Sequence, residues 1–294
     1  MRKIFLLVLV FLFANDVCKL YALNLISVEK VGEVNLKKHS LPTDVVFRDS
    51  NSFYLLDAYD PAVLLYENFQ KKRKIKLPVP DEGMCFEKYE DKYFICVPSE
   101  NKIYILNEDF GISGSIQNSQ GAFDPTDIAF YENKLYVADN DNHRIMVFNE
   151  NGSLINRKGE YGFDYLMFRY PFDIAIDSRG DLFVSEVINT RIQQLTYDLK
   201  YVNYIGGWGV SSGHFYRPKG VVIYRDKYLL AADGYMGLIQ VFDKKGNFIG
   251  VLGDSNGEKL KFVSPVRMKI YKDKLAVTDF LDKSVKIFRL KGFK

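Results

Sequence analysis

Apolar and polar residues alternate in three short runs within residues 124–151, and this pattern predicts three β-strands. The runs are Asp127–Phe130, Leu135–Ala138 and Ile145–Phe148. Turn-type residues such as Asn140-Asp141-Asn142 separate them, and period-two alternation between tight turns is typical of an antiparallel meander. Asp139 closes the second strand, where we expect its carboxylate to accept hydrogen bonds from turn amides.

The same unit recurs six times along the chain. The first strand of each unit begins at a proline, or at a glycine in one unit, with a spacing of 41 to 47 residues: Pro42, Gly83, Pro125, Pro171, Pro218 and Pro265. An acidic residue follows the second strand in all units except the one with Val97, namely Asp57, Asp139, Glu186, Asp233 and Asp279. Repeats of this length built from strands alone indicate a propeller, because each small sheet buries both faces only between neighbours in a ring. We therefore predict an all-β, six-bladed β-propeller of four-stranded antiparallel blades.

The P-x-D-I-A strand at Pro125, followed by the D-x-x-x-x-R-I pattern from Asp139 to Ile145, resembles the NHL-repeat family. The resemblance covers residues 23–294 and is most specific in the third to fifth units. It implies a propeller that presents its loop face to proteins, glycans or nucleic acids. The repeated Trp-Asp pairs of WD propellers do not occur, since Trp208 is the only tryptophan. Kelch propellers repeat glycine pairs, whereas Gly206-Gly207 is the only such pair in this sequence.

The two ends of the chain supply complementary parts of one blade. Leu25–Val31 alternates like a strand and precedes Gly32, whereas the last unit has only three strands. These are Met268–Ile270, Leu275–Thr278 and Val285–Phe288. We predict that the N-terminal strand completes the last blade and closes the ring, which would remove an unpaired sheet edge.

Residues 1–22 have the pattern of a secretory signal peptide. Arg2 and Lys3 precede the apolar run Ile4–Phe13, and Leu20-Tyr21-Ala22 offers a cleavage site with a small residue. The apolar run is too short for a membrane span, which needs roughly 20 residues. We predict that this segment is removed, that residues 23–294 form the mature propeller, and that the protein is exported to a periplasmic or extracellular location.

The charge balance disfavours nucleic acid as a partner. The formal net charge is +3, and the signal segment contributes most of it, so the remaining chain is nearly neutral. A strong basic excess is what phosphate binding requires. The basic run Lys71-Lys72-Arg73-Lys74-Ile75-Lys76 is either a solvated outer strand or part of a patch for an anionic surface such as lipid head groups or acidic glycan. In the second case it would be joined by basic residues of the last blade: Lys283, Lys286, Arg289, Lys291 and Lys294.

Cys85 and Cys96 lie opposite each other across the predicted hairpin turn Tyr89–Lys92. A cross-strand disulfide is feasible in an oxidising compartment. The alternative is a pair of buried thiols that act as small apolar side chains. The chain has no C-x-x-C motif, which argues against a redox role.

Catalytic motifs are scarce in this sequence. There is no G-x-S-x-G elbow, no H-E-x-x-H helix and no phosphate-binding glycine loop. Only His39, His143 and His214 are present, all in predicted loops, whereas a zinc site like that of the amidating-lyase propellers would need several histidines at the channel. We expect His143 to be a turn residue, and Trp208 and Phe215 to fill the join between neighbouring blades.

The remaining candidate site is a ring of residues two positions after each first-strand proline or glycine. Its members are Asp44, Cys85, Asp127, Asp173, Gly220 and Arg267. Innermost strands surround the central channel, so Asp44, Asp127, Asp173 and Arg267 are the predicted ligand-binding residues. The three carboxylates are also the predicted ligands of a hard cation such as Ca²⁺. Alternatively, each aspartate caps the entrance of its own strand by accepting hydrogen bonds from loop amides.

The sequence thus predicts an exported, monomeric, non-enzymatic binding or scaffolding propeller whose loop face binds a protein or glycan. No cofactor is expected for this module, and Ca²⁺ at the three carboxylates is the alternative. The alternative is a metal-assisted hydrolase or lyase, similar to the gluconolactonase-type propellers, with its site at the channel mouth. The two hypotheses differ in whether Asp44, Asp127 and Asp173 share one cavity that solvent can reach.

Overall fold

A computed structural model describes residues 24–79 and 82–293, so the predicted signal peptide lies outside the described residues. The first two strands, β1 (Leu25–Ser27) and β2 (Glu29–Asn35), join the last two blades. Blade 1 contains β3 (Pro42–Phe47), β4 (Ser52–Asp57), β5 (Ala62–Glu67) and β6 (Gln70–Lys76). Blade 2 contains β7 (Cys85–Tyr89), β8 (Lys92–Val97), β9 (Lys102–Leu106) and β10 (Ile112–Ile116).

The middle blades follow the same order. Blade 3 contains β11 (Pro125–Tyr131), β12 (Lys134–Asp139), β13 (Arg144–Phe148) and β14 (Leu154–Lys158). Blade 4 contains β15 (Pro171–Ile176), β16 (Leu182–Glu186), β17 (Arg191–Leu195) and β18 (Tyr201–Gly206). The unit predicted from residues 124–151 is therefore confirmed strand by strand.

The last two blades take up the N-terminal strands. Blade 5 contains β19 (Pro218–Tyr224), β20 (Tyr228–Asp233), β21 (Leu238–Asp243) and β22 (Phe248–Gly253). Blade 6 contains β23 (Pro265–Tyr271), β24 (Lys274–Asp279) and β25 (Ser284–Arg289). The innermost strands β3, β7, β11, β15, β19 and β23 touch in sequence, and β23 touches β3 again. The fold is a six-bladed β-propeller, as predicted.

The N-terminal segment closes the ring, but its strand boundaries differ from the predicted ones. β2 pairs antiparallel with β25, with Gly32 opposite Ile287, and is the fourth strand of blade 6. The predicted strand Leu25–Val31 is wrong in its bounds, because Leu25–Ser27 pairs in parallel with β22 and widens blade 5 to five strands. Gly32 lies inside the closing strand. A larger residue would not fit at this position, because its Cβ would stand 2.3 Å from the ring of Phe69 in blade 1.

Adjacent blades share their hydrophobic clusters. Leu56 and Val63 of blade 1 pack with Phe86 and Ile95 of blade 2, and all four are fully buried. The same arrangement repeats at the following joins. Each sheet thus buries both faces only when both neighbours are present. No helix within residues 24–79 and 82–293 is long and apolar enough to cross a membrane.

One side of the disc carries the longer loops. The blade-to-blade connections and the turns between second and third strands all lie at this end of the sheets, which we call the loop face. It comprises residues 36–41, 58–61, 77–79, 82–84, 98–101, 117–124, 140–143, 159–170, 187–190, 207–217, 234–237, 254–264 and 280–283. Within the described chain, the opposite face has the short turns between first and second and between third and fourth strands, together with residues 290–293.

Removing residues 24–35 from the described chain should open the ring. The edge of β25 would lose its partner, and the contact of Val34 with the join between blades 6 and 1 would be lost. We expect aggregation in light scattering and a lower melting temperature. The matched control removes only residues 24–27, which deletes β1 and retains β2, and should stay monomeric. A monomeric variant without residues 24–35 that melts like the parent would contradict the closure.

Candidate functional site

In every blade except blade 2, the acidic residue at the end of the second strand accepts hydrogen bonds from loop amides, as the sequence predicted. Asp139 accepts hydrogen bonds from the amide of Asp124 at 2.7 Å and from Arg144 Nε at 2.6 Å. Asp233 similarly accepts hydrogen bonds from the amides of Tyr216 and Met236 at 2.7 and 2.8 Å. Blade 2, which has Val97 at this position, forms a short 3₁₀ helix instead, Pro98–Glu100. These residues fix the loop face to the sheets beneath it.

The aromatic residues of the long connections do not share the role predicted for them. Phe215 is fully buried and packs so closely on Gly206 that a Cβ there would lie 2.3 Å from its ring. Trp208 was predicted to fill the same join, and this prediction is wrong, because its side chain is 76% exposed. Phe215 already occupies the space beside the glycine, and Phe168 does so in the preceding connection. Trp208 is therefore available at the surface of the loop face.

Arg267 crosses the central channel and joins two of the predicted site residues. Its Nη1 lies 3.2 Å from Asp127 Oδ1 and 3.2 Å from Asp173 Oδ1, and its Nη2 donates a hydrogen bond to the carbonyl of Thr126. Arg267 starts from blade 6, whereas its partners belong to blades 3 and 4 on the other side of the ring. It is 2% exposed and is the largest fully buried side chain among the described residues. The guanidinium thus occupies the axis.

A second basic side chain, Lys269, pairs with the third predicted carboxylate. Lys269 Nζ is 3.8 Å from Asp44 Oδ2 and forms a short ion pair with Glu87 of blade 2. The sequence analysis missed Lys269 and Glu87. Both lie two positions after members of the predicted ring, Arg267 and Cys85, and period-two side-chain direction along a strand would have found them.

The three aspartates also bond the next blade around the ring. Asp44 Oδ2 accepts a hydrogen bond from the amide of Phe86 at 2.9 Å, and Asp127 Oδ2 accepts one from Ile174 at 2.8 Å. Asp173 Oδ2 accepts one from Val221 at 3.1 Å. These amides lie in the neighbouring innermost strand, not in the loops assumed by the capping alternative. The aspartates therefore link adjacent blades by hydrogen bonds beside the channel.

Burial and the two basic groups set the protonation of the carboxylates. Burial raises the pKa of Asp173 well above its usual range, and the nearby Asp127 charge raises it further. Burial also disfavours ionised Asp127, but Arg267, the hydrogen bond with Asp173, Lys269 and the Ile174 amide together outweigh it and lower the pKa of that carboxyl. Burial raises the pKa of Asp44 to about 6 in spite of Lys269. The network therefore holds an ionised Asp127 and a protonated Asp173 against one guanidinium.

The arrangement does not suit a hard cation. Ca²⁺ needs several oxygen atoms around one empty position, and here the Arg267 guanidinium stands between Asp127 and Asp173 while Lys269 stands beside Asp44. Among residues 24–79 and 82–293, no group of three or more His, Cys, Asp or Glu side chains is placed to hold a metal ion.

A small cavity lies above Arg267, at the channel mouth on the loop face. Its volume is about 90 Å³, and the residues that line it are Thr43, Met84, Phe172, Lys219, Val266, Arg267 and Phe280. The three aspartates do not line it and are at most 4% exposed. Solvent at the mouth thus meets apolar side chains and two cations, and does not reach the carboxylates.

Exposed apolar side chains concentrate on the loop face. They are Tyr59, Tyr161, Phe163, Tyr165, Tyr170, Ile188, Trp208, Val210, Tyr235, Val263 and Leu281. The other large exposed apolar residues, Ile112, Ile155, Tyr197, Val202 and Tyr204, lie on outer strands or at the opposite face. The large exposed apolar side chains of the described residues therefore lie mainly on one side of the molecule.

The three histidines stay in the loops, apart from the channel cavity. His39 packs against Tyr59 with ring centroids 5.5 Å apart, and His143 packs against Tyr170 at 4.8 Å. His143 lies in its turn as expected, where its Nδ1 accepts a hydrogen bond from the amide of Tyr170, and burial lowers its pKa. His214 Nδ1 lies 3.1 Å from the hydroxyl of Ser211 in the connection between blades 4 and 5.

The basic run of blade 1 and the basic residues of blade 6 differ in their pairing. Lys286 pairs with Asp279 at 3.0 Å and with Asp282, and Arg289 pairs with Glu29 at 3.2 Å. In the run on β6, Lys74 pairs with Asp60. Among the described residues, no acid lies within 4.0 Å of the side-chain nitrogens of Lys71, Arg73 or Lys76. Lys283 of blade 6 likewise has no acidic partner there and donates to the carbonyl of Lys38, so most of the unpaired charge, but not all of it, lies on β6.

Cys85 and Cys96 form a disulfide between β7 and β8, with their Cα atoms 5.0 Å apart. Both residues are buried in the cluster between blades 2 and 3. Of the two alternatives left open by the sequence, the structure contains the bonded pair. It links the innermost strand of blade 2 to its neighbour.

Comparison with known proteins gives sequence relatives over part of the chain. The Drosophila melanogaster protein brain tumor is 26% identical over 125 residues, which cover 42% of this chain and 12% of that protein. A probable peptidyl-alpha-hydroxyglycine alpha-amidating lyase of Caenorhabditis elegans, pgal-1, is 27% identical over 114 residues, or 36% of this chain and 33% of that protein. The match thus spans a third or less of each relative. No family model matches the chain.

Solved structures match over most of the chain. Virginiamycin B lyase of Staphylococcus aureus, in a complex with quinupristin, superposes with a TM-score of 0.67 at 15% identity, covering 88% of this chain and 98% of the lyase. A Bacteroides thetaiotaomicron protein of unknown function gives 0.68 at 14% identity over 91% and 75%. BBS1N in complex with ARL6DN gives 0.56 at 15% identity over 85% and 77%. At these identities the likeness shows the propeller fold alone.

Asp44 makes stability depend on pH in a defined direction. Its pKa is raised to about 6 in the folded protein from an ordinary value of 3.8, so folding favours the protonated form. Its contribution to stability is complete below about pH 4 and is lost as pH rises through 6. Asn stays neutral at every pH. The free energy of unfolding of Asp44→Asn relative to that of the parent should therefore increase from pH 4 to pH 7, by about 3 kcal/mol for two pKa units.

Urea unfolding at pH 4, 5, 6 and 7 measures this difference. Asp49→Asn is the control, because hydrogen bonds from Ser52 and the amide of Asn51 lower the pKa of that exposed carboxyl. The free energy of unfolding of Asp49→Asn relative to that of the parent should decrease as the pH rises. A difference between Asp44→Asn and the parent that does not change with pH would contradict the raised pKa.

Proposed function

We propose that this protein is an exported, monomeric, non-enzymatic binding module whose loop face docks a protein partner. The observation that carries the proposal is the concentration of exposed aromatic and aliphatic side chains on that face. Scattered exposed apolar residues are normal in soluble proteins, whereas a set gathered on one surface indicates an interaction site.

The strongest part of this surface lies over blades 4 and 5. Trp208 is 76% exposed and Val210 is 72% exposed in one connection. Tyr235, 63% exposed, stacks on Tyr216 with ring centroids 4.1 Å apart. Two stacked rings hold each other in place, so binding would order fewer side chains. Trp and Tyr are the residue types that contribute most to protein interfaces when a partner buries them.

The adjoining surface over blades 3 and 4 adds a cation. The Arg169 guanidinium lies 4.1 Å from the ring centroid of Phe163 and 4.6 Å from that of Tyr161. Arginine stacked on aromatic rings is typical of the centre of interfaces, where the partner supplies hydrogen-bond acceptors.

Two further observations support the proposal. BBS1N, a propeller of similar structure, is seen in complex with ARL6DN, so the fold can serve to bind a protein. The Cys85–Cys96 disulfide suits an oxidising compartment, in agreement with the signal-peptide pattern of residues 1–22.

The alternative is a lyase or hydrolase, and the similarity to virginiamycin B lyase and to the probable amidating lyase favours it. Such an enzyme would use the carboxylates at the channel mouth with a cation. Here Asp44, Asp127 and Asp173 are buried under the mouth cavity and paired with Arg267 and Lys269. That geometry supports the binding module over the enzyme.

The loop-face proposal is tested by quantitative capture from the extracellular or envelope fraction. Trp208→Ser combined with Tyr235→Ser should weaken binding of the partner at least tenfold, because the two anchor side chains together contribute about 1.4 kcal/mol or more. Tyr204→Ser, on an outer strand, is the matched control and should bind like the parent. Equal capture by all three proteins would refute the proposal. Prior deglycosylation of the fraction separates a protein partner from a glycan.

A calcium titration of the melting temperature distinguishes the alternative. We expect no shift with Ca²⁺ or after chelation, because Arg267 and Lys269 already neutralise the carboxylates. A rise with Ca²⁺ that disappears in Asp127→Asn combined with Asp173→Asn would favour the metal-assisted enzyme and overturn the binding module. The same double variant melted in the absence of Ca²⁺ is the control for a direct effect on stability.

A further inference from the structure

We propose that the cavity at the channel mouth binds a carboxylate that carries a short apolar tail, held between Lys219 and Arg267. This site takes an anion, the opposite of the cation expected from the sequence. The proposal is independent of the partner of the loop face.

Among the residues that the structure describes, the lining of the cavity carries positive charge and no acid. Its charged members are Lys219 and Arg267, and the other five are Thr43, Met84, Phe172, Val266 and Phe280. Asp127 and Asp173 pair with Arg267 but do not line the cavity. A ligand that enters the mouth therefore meets positive charge first, and a negative group is favoured there.

Arg267 has unused hydrogen-bonding capacity. It is 2% exposed, and neither its Nε nor its Nη1 has a hydrogen-bond partner among the described residues. The Nη1 lies within ion-pair distance of two carboxylates, so the Nε is the group left without any partner. A buried donor of this kind costs free energy unless a ligand or water accepts its hydrogen bond.

Lys219 is a cation with no acidic partner in the part of the chain that the structure describes. Its Nζ lies 5.2 Å from the ring centroid of Phe172, and no acid among the described residues lies within 4.0 Å of it. Burial, followed by the charges of Arg267 and Arg217, lowers the pKa of Lys219. An anion bound beside the ammonium would relieve this repulsion.

The size and lining of the cavity restrict the class of ligand. About 90 Å³ is the volume of roughly three water molecules, taking about 30 Å³ for each. That space holds a carboxylate with one or two carbon atoms beyond it. Phe172, Val266 and Met84 offer apolar contacts to such a tail, which a phosphate or a sulfate could not use. Either a free short-chain acid or the C-terminal carboxylate of a polypeptide has this chemistry.

Methyl NMR of protein labelled at the methionine methyl groups tests the site, because Met84 lines the cavity. Propionate should shift the Met84 signal, assigned through Met84→Leu, in a saturable manner. Propionamide, a neutral molecule of the same shape, should not. Lys219→Gln should weaken propionate binding at least tenfold, the expected effect of losing a hydrogen bond to a charged group. Lys219→Arg should retain binding, and Lys71→Gln, on an outer strand, is the matched control.

Two outcomes would overturn the proposal. One is equal binding of propionate and propionamide, and the other is unchanged propionate affinity in Lys219→Gln. The peptide acetyl-Ala-Ala and its C-terminal amide distinguish the sources. Binding of the acid form of the peptide supports a polypeptide terminus, binding of propionate alone supports a free acid, and binding of neither overturns the site.

Discussion

The structure depends on the inability of any single blade to bury both of its faces. Each sheet is about four strands wide and apolar on both sides, so it needs a neighbour on each side and the chain of sheets must return to its start. The pairing of β2 with β25 supplies that return. The positions of the channel, the mouth cavity and the loop face all follow from closure, because they are defined only in a complete ring.

Closure brings innermost strands from opposite blades close together around the axis, and it leaves a narrow space that charged residues fill. Arg267 and Lys269 of blade 6 pair with carboxyl groups from blades 1 to 4. Buried pairs of this kind gain little net stability compared with apolar residues, but they are costly to break. They seal the channel and decide which sign of charge its mouth presents.

Periodicity made most of the fold predictable. The six units, their strand order and the acidic residue after the second strand were visible because the same physical requirement repeats at a constant spacing. Asp139 and Asp233 act as predicted for that reason. The closing strand was predicted in position but not in its bounds, since the parallel pairing of Leu25–Ser27 with β22 occurs once and has no repeat to reveal it.

The candidate site was less predictable. The sequence placed Asp127, Asp173 and Arg267 around the channel, but it could not tell that a side chain from one blade would reach across the axis. Trp208 and Phe215 are both aromatic residues in one connection, and only the close approach of Phe215 to Gly206 decides which one is buried. Such outcomes depend on distances between segments that are remote in sequence, which local patterns do not contain.

The origin of the closing strand has a consequence for how the protein is made. β2 is synthesised before the blades, and its partner β25 is synthesised after the first five of them. The early strand must stay unpaired while these blades emerge, so the ring forms only after β25 (Ser284–Arg289) has been synthesised. A nascent chain that pauses before residue 284 carries five assembled sheets and an unpaired strand edge. Such an edge is prone to aggregate, and a chaperone would need to shield it.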